Sequence, residues 1–374
     1  MSMDRNRQEL DPTPSTDPRN ESAVPPEKEP QRRADSEDIA RRLDELIAEV
    51  GGTPGTFDAK LVRDLLVTGL KLIPDGRDTG ELKLMTAAVK ELRYAYRVFA
   101  QYAKPHKVTI FGSARTPPGH GDYERAVVFS RLIAEAGWMV ITGAGGGIME
   151  AGHVGPGREA SFGVAIRLPF ETTANEVIAG DEKLIHFRYF FTRKLMFMAQ
   201  AEAIAVFPGG FGTLDETFES LTLVQTGKAS MIPIVMIESE DNSYWPGWIA
   251  FVREHLLKRG LISEEDLDLF FFARTPEEAV EHVVGFYRTY HSSRYVRDDL
   301  VIRMKRRLRD EDVARLNHEF AVLVKSGSIV QRDAYAEESD HLDLPRLAFT
   351  HTRHHFGLVR RLIDRINGFE RDAG

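Results

Sequence analysis

Hydrophobic residues fall along this chain in two alternating patterns. Short runs that are apolar throughout (Val108–Phe111, Met139–Thr142, Gly163–Leu168, Ile204–Phe207, Ile232–Ile237 and Leu269–Phe272) are separated by stretches with helical spacing, notably Tyr123–Ala136, Phe190–Ala201, Thr213–Thr226 and Pro276–Tyr290. Continuous apolar runs predict strands buried on both faces, and a helix after each predicts a parallel sheet covered on two sides. The expected fold is therefore α/β, a doubly wound Rossmann-like parallel sheet, with ligands gathering beyond the carboxyl ends of its strands at the switch point. In the stretch Phe190–Ala201, the residues Phe190, Leu195, Phe197 and Met198 are expected to face inward.

The flanks carry different patterns. Residues 1 to about 35 hold Pro12, Pro14, Pro18, Pro25, Pro26 and Pro30 among charged and small polar residues, a composition that predicts a disordered tail. Residues 36–104 read as helices: one with Ile39, Leu43, Leu46, Ile47 and Val50 ending at Gly51-Gly52, one with Leu61, Leu65, Leu66 and Leu70 inward, and one with Leu82, Met85, Val89, Leu92, Tyr96 and Phe99 on a single face. They are expected to pack on the main domain, residues 105–297, or on a second subunit. Beyond it, residues 298–370 read as a small βαββα module with an antiparallel sheet: strands at Leu300–Met304, Ser328–Arg332 and Arg346–Thr350, helices at Asp310–Ser326 and Phe356–Asn367.

Composition narrows the function. The 374 residues carry 57 acidic against 49 basic side chains, a formal charge of −8, so nucleic acid is not expected as a main partner despite the local cluster Lys305-Arg306-Arg307. With no cysteine, disulfides, thiolate metal sites and cysteine nucleophiles are excluded. Neither a signal-peptide pattern nor an apolar run of membrane-spanning length is present, which predicts a cytoplasmic protein without a membrane partner. His351, His354 and His355 have helical metal-ligand spacing but no matching carboxylate, and are expected at the surface; no metal is expected.

Three strand ends carry glycines: Gly112-Ser113 after the first strand, Gly143-Ala144-Gly145-Gly146-Gly147 followed by Ile148-Met149-Glu150 after the second, and Pro208-Gly209-Gly210-Phe211-Gly212 after the fourth. One glycine turn is weak testimony, but the fold brings these three together. A strand feeding a helix through glycines leaves backbone N–H groups bare at the positive end of the helix dipole, a site suited to phosphate. Gly112, Ser113, Gly145, Gly146, Gly147 and Glu150 are thus candidates to line it, with Gly209, Gly210, Phe211, Gly212, Thr213, Leu214 and Asp215. Thr213 and Glu216 also fit a Thr-x-x-Glu capping box, the bland alternative to chemistry at Glu216. Arg193-Lys194 is by itself an ordinary solvated pair. Walker A, Gly-x-Ser-x-Gly and Gly-x-Gly-x-x-Gly patterns are all absent from these loops.

The residues Pro208-Gly209-Gly210-Phe211-Gly212-Thr213-Leu214-Asp215-Glu216, with Phe190-Phe191-Thr192-Arg193-Lys194 and Gly147-Ile148-Met149-Glu150-Ala151 before them, resemble the LOG family, the "Lonely guy" phosphoribohydrolases. The resemblance covers about residues 90 to 290 and implies hydrolysis of the N-glycosidic bond of nucleoside 5′-monophosphates, cytokinin ribotides included, to free base and ribose 5-phosphate. It implies Arg193 and Glu216 as the catalytic pair, Lys194 as a basic neighbour holding substrate, Gly209 to Asp215 as the phosphate and ribose loop, and Thr222 and Glu171 as further contacts. No cofactor is implied, and the older lysine decarboxylase label borne by many members finds no pyridoxal site here. Ala144 within the glycines, Gly147 before Ile148, and His153 where Asn is common depart from the pattern of longer members. The added segments resemble those of long bacterial members, whose substrates include ordinary nucleotides and which form homodimers or larger homo-oligomers. The rival readings are a non-catalytic nucleotide sensor or cofactor carrier of the same fold, as in molybdenum-cofactor carriers, and an oligomer-forming scaffold.

Overall fold

The computed structural model describes residues 34–167, 174–240 and 243–369. The proline-rich tail up to residue 33 and Glu171 lie outside the described residues. The chain divides into two units, residues 1–90 and 91–374.

In the first unit, α1 (Glu37–Glu49) and α2 (Phe57–Lys71) are each started by a hydroxyl that accepts from the third backbone N–H beyond it, Ser36 from Ile39 and Thr56 from Ala59. The Arg63–Asp44 ion pair at 2.9 Å ties the two helices. Leu61, Leu65, Leu66 and Leu70 are exposed rather than inward. On α2 only Ala59 is buried. The third helix, α3 (Thr79–Ala100), ends in the second unit, where Ala95, Val98 and Phe99 are buried and Phe99 stacks on Phe162 at 4.5 Å.

The second unit is built on a parallel sheet of seven strands: β1 (Lys107–Phe111), β2 (Met139–Thr142), β3 (Ser161–Ile166), β4 (Leu184–Phe187), β5 (Ala203–Val206), β6 (Ile234–Ile237) and β7 (Phe271–Ala273). Their order is β4-β3-β2-β1-β5-β6-β7, so the winding reverses between β1 and β5. Val108, Ile110, Val140, Ile141, Ile204, Ala205 and Ile234 are fully buried, as expected of strands covered on both faces. The covering helices are α4 (Gly121–Glu135), α5 (Ile148–Val154), α6 (Phe190–Ala199), α7 (Phe211–Gln225), α8 (Tyr244–Phe251) and α9 (Pro276–Phe286). Strand β4 escaped the apolar pattern because at the sheet edge it alternates, with His186 exposed between buried Ile185 and Phe187. Strand β6 begins at Ile234 rather than Ile232, since Pro233 has no N–H to give the ladder. On α6, Phe190 and Leu195 are exposed, contrary to expectation, while Thr192, Met196 and Phe197 are buried.

A second, antiparallel sheet has the order β10-β11-β9-β8, from β8 (Tyr290–Val296), β9 (Asp299–Met304), β10 (Val324–Arg332) and β11 (Arg346–His351), with α10 (Asp310–Glu319) and the closing α11 (Phe356–Gly368). The helix expected to run on to Tyr290 stops at Phe286. There the Asn367 carboxamide accepts from the backbone N–H groups of Thr289 and Tyr290 and donates to the Phe286 carbonyl, fixing the passage from one sheet to the other. Arg303 and Arg346 both pair with buried Glu338; although burial works against it, the two guanidiniums hold that carboxyl down at about 2. His351 is buried rather than at the surface, its Nδ1 sharing a 2.6 Å hydrogen bond with the Tyr295 hydroxyl, and His355 pairs with Glu265.

Candidate functional site

The three glycine segments follow β2, β1 and β5, which are neighbours in the sheet. Ser113 joins them through its main chain: its N–H donates to the Pro208 carbonyl at 3.1 Å, and its carbonyl accepts from the Ile148 N–H at 3.0 Å. Packing alone explains several of the glycines. A Cβ on Gly112 would lie 2.5 Å from Ile148, one on Gly147 (φ +63°) 2.3 Å from the Ser113 carbonyl oxygen, and one on Gly209 2.1 Å from the Thr213 hydroxyl. Gly145 faces only the flexible end of Met149, and Gly146 comes no nearer than 3.6 Å to Ala114. Gly210 and Gly212 have nothing within 4 Å and no positive φ. The fold itself does not require glycine at those two positions.

Helix α7 starts at Phe211, two residues earlier than expected, with Gly210 as an N-cap that brings no side chain to the first turn. Thr213 is thus the third helical residue, and the capping box with Glu216 is not formed. Phe211, Gly212 and Thr213 occupy the first turn, where N–H groups have no partner within the helix and the dipole favours an anion. Phe211 itself is 94% exposed between its two glycines, Thr213 is buried under Gly209, and Leu214 packs on the core. Tyr244 of α8 donates its hydroxyl to the Gly209 carbonyl at 2.7 Å and steadies the turn from outside.

Glu216 lies one turn deeper, its side chain 14% exposed. Burial raises its carboxyl to about 7; Glu219 and Asp215 push the same way, while Lys194 and Arg193 pull it down. Lys194, on α6, extends to 2.7 Å from Glu219, 2.9 Å from Asp215 and 4.0 Å from Glu216. Its own pKa is raised: burial would lower it, but Glu219 and Asp215 more than offset that. Arg193 runs beside them to the end of β2 and to β3, where its Nε donates to the Val164 carbonyl at 2.9 Å, and its guanidinium lies over the Phe197 ring. Gly143 leaves room for it, since a Cβ there would sit 2.4 Å from an Arg193 nitrogen.

The loop from Gly143 to Gly147 is held by Thr142 and Asn175, to which the sequence did not point, and by His153, which stood out there only as a departure from a pattern. Ala144 has φ +64°. Its N–H donates to the Thr142 hydroxyl, and its carbonyl accepts from the Asn175 N–H. The Asn175 carboxamide bridges the Gly145 carbonyl and His153 Nδ1, while His153 Nε2 meets Thr142 and the Phe162 carbonyl. Burial lowers the His153 pKa, so the ring stays neutral, accepting at Nδ1 and donating at Nε2. At this position, histidine therefore serves as the loop's anchor. Glu150 lies half-buried on α5, where its charge acts on buried Tyr123 of α4. Thr222 is exposed two turns beyond Asp215, outside the contacts that gather Arg193, Lys194, Asp215, Glu216 and Glu219.

Residues 145–283 match the protein family described as "Possible lysine decarboxylase". The match covers 139 of the 374 residues and takes in the helix starts and charged residues of the site. Solved structures similar to this chain include a molybdenum cofactor binding protein from the phototrophic bacterium Rippkaea orientalis, 22% identical over 48% of this chain and 94% of its own, at a TM-score of 0.33. Others are the molybdenum cofactor carrier protein of Chlamydomonas reinhardtii, 16% identical over 48% and 97% at 0.34, and the single-stranded-DNA-binding DNA processing protein A of Helicobacter pylori, 12% identical over 48% and 80% at 0.31. No curated protein matches the sequence significantly. Lysine decarboxylation would call on pyridoxal phosphate held by a lysine whose amine is readily deprotonated. The site around Lys194 does not fit that need, because Lys194 is kept charged by the carboxylates around it. Among the described residues no His, Asp and Glu side chains are gathered as metal ligands, and no helix is long and apolar enough to cross a membrane.

Proposed function

We propose that the protein hydrolyses the N-glycosidic bond of nucleoside 5′-monophosphates, releasing free base and ribose 5-phosphate. One observation carries the reading: a buried carboxyl brought to about 7, Glu216, stands one turn inside an uncapped helix start approached by glycines that the packing does not require. Phosphate at the N–H groups of Phe211, Gly212 and Thr213 supplies binding energy remote from the reacting bond and orients the sugar. As the C1′–N bond breaks, positive charge builds on the ribose. Ionised Glu216 opposes it and takes a proton from the water whose oxygen bonds to C1′. The departing base gains the electron pair, which the Arg193 guanidinium stabilises. Activity then requires Glu216 without its proton, so the acid limb of the pH profile falls near pH 7.

Self-association in the cytoplasm belongs to the same reading, supported by the absence of cysteine and by the exposed Phe190, Leu195 and Phe211; light scattering tests it. The decisive experiment incubates the protein with a panel of nucleoside monophosphates and their unphosphorylated nucleosides and separates the products by chromatography. Base release from the phosphorylated set alone is expected. Binding of AMP without release of base from any substrate replaces the hydrolase with a nucleotide sensor or carrier. Equal turnover of adenosine and AMP removes the phosphate from the account.

A further inference from the structure

Asp215, Glu216 and Glu219 project from successive turns of α7, and all three come within 4.0 Å of one ammonium, that of Lys194 on α6. The ammonium does not share itself equally. It stands 2.7 Å from Glu219 and 2.9 Å from Asp215, and keeps 4.0 Å from Glu216. The Asp215 side chain is 62% exposed and screened by water, whereas Glu219 is 35% exposed and Lys194 18%, so the pair with Glu219 is the stronger tether.

We propose that Glu219 is a positioning residue for Glu216: it holds Lys194 in a short ion pair and so keeps that ammonium from closing on Glu216. The proposal rests on the reading of Glu216 as the reacting carboxyl. Without the tether, the nearest poorly exposed carboxylate for Lys194 is Glu216, and a direct pair would hold Glu216 ionised well below neutral pH. Lost basicity follows, because a carboxylate that is easily ionised takes a proton from water poorly. Glu219 also acts through its own charge, which disfavours ionisation of its neighbour three residues away, so both effects have the same sign.

Other charges near α7 do not take over this part. Arg193, also on α6, acts on Glu216 but is committed to the Val164 carbonyl. The acids of the short helix Glu264–Leu269 meet α7 at its far end, where Gln225 donates to Asp266. On α11, Arg360, Arg361 and Arg365 pair with Asp364, Asp268 and Glu319.

The test titrates Glu216 itself. With glutamate carboxyl carbons labelled with ¹³C and the Glu216 signal assigned by its loss in Glu216→Gln, the midpoint is followed with pH in the parent protein and in Glu219→Gln. The expected result is a midpoint near 7 in the parent and a fall of about one pH unit or more in the variant, the size of effect a newly paired cation produces. Lys194→Met supplies a second arm and is expected to move the midpoint upward. An unchanged midpoint in either variant overturns the proposal. The acid limb of AMP hydrolysis should shift with the Glu219→Gln midpoint, which a merely structural role would not cause. If the midpoint falls but no protein releases base, Glu219 keeps its role and the hydrolase reading fails.

Discussion

Replacing Gly143 by alanine moves Arg193 without altering any charged group. The added Cβ would lie 2.4 Å from a guanidinium nitrogen and 2.6 Å from the Met149 sulfur, against 3.4 Å for ordinary contact. Both neighbours are ends of flexible side chains, so they yield and the backbone stays. The guanidinium must retreat by roughly 1 Å, a displacement that costs on the order of 10²-fold when it misplaces a group acting on the transition state. The same retreat stretches the 2.9 Å bond from Arg193 Nε to the Val164 carbonyl beyond hydrogen-bond range. A bond to a charged group contributes about 1.5–3 kcal/mol. Alanine returns about 0.4–1 kcal/mol by restricting the unfolded chain, since Gly143 has no positive φ. The net loss of stability is then about 0.5–2.6 kcal/mol, up to a few degrees in Tm. Steady-state kinetics with AMP, read beside thermal unfolding, separate the two quantities. Gly143→Ala is expected to lose about 100-fold in kcat with a folded structure. Wild-type turnover in a folded variant would refute any role for Arg193 in bond cleavage.

Further expectations follow from other contacts. Glu216→Gln should abolish more than about 99% of base release. It should also raise stability at alkaline pH: a carboxyl whose folded pKa is raised from 4.5 to about 7 carries no penalty below pH 4.5, and a growing one up to pH 7. The gain, up to about 3 kcal/mol above pH 7, should vanish in melts recorded towards pH 4.5; a variant no more stable at pH 8 contradicts the burial argument. Asn175→Ala removes the bridge between Gly145 and His153, and should raise KM for AMP about tenfold, at a stability cost of about 2 kcal/mol; unchanged KM means the loop is held without it. Asn367→Ala orphans two backbone N–H groups and a carbonyl, and should cost about 3 kcal/mol or more in urea unfolding; retained stability would deny that this side chain fixes the passage between the sheets.

The parallel core was legible because its strands are buried on both faces and so read as unbroken apolar runs, as in Val108–Phe111 and Ala203–Val206. Strand β4 was not, because at an edge it alternates, and β8, Tyr-His-Ser-Ser-Arg-Tyr-Val, carries no apolar run at all. On α6 the aromatic residues gave a false inward face, since Phe190 and Leu195 are exposed while Thr192 and Met196 are buried. The loops of the candidate site were legible from glycine spacing, yet the reasons for those glycines were not: Gly112, Gly147 and Gly209 answer to close packing, while Gly210 and Gly212 do not. Thr213 and Glu216 suggested a cap because the pattern is local, whereas the position of the helix start depends on how Gly209 packs against Thr213. His153 and Asn175 lie 22 residues apart, a pairing that only the assembled sheet brings about. Glu219 resembled any acid on a helix until Lys194 was seen facing it.

The link made by Ser113 uses peptide groups alone, and that has a bearing on descent. Side chains at residues 113, 148 and 208 can change, within what volume allows and short of proline at 113 or 148, without releasing either neighbour, provided the spacing of the loops is preserved. An insertion of one residue there, however conservative in character, would slide two loops out of alignment at once. At that turn the register depends on the length of the loops more than on the identity of their side chains.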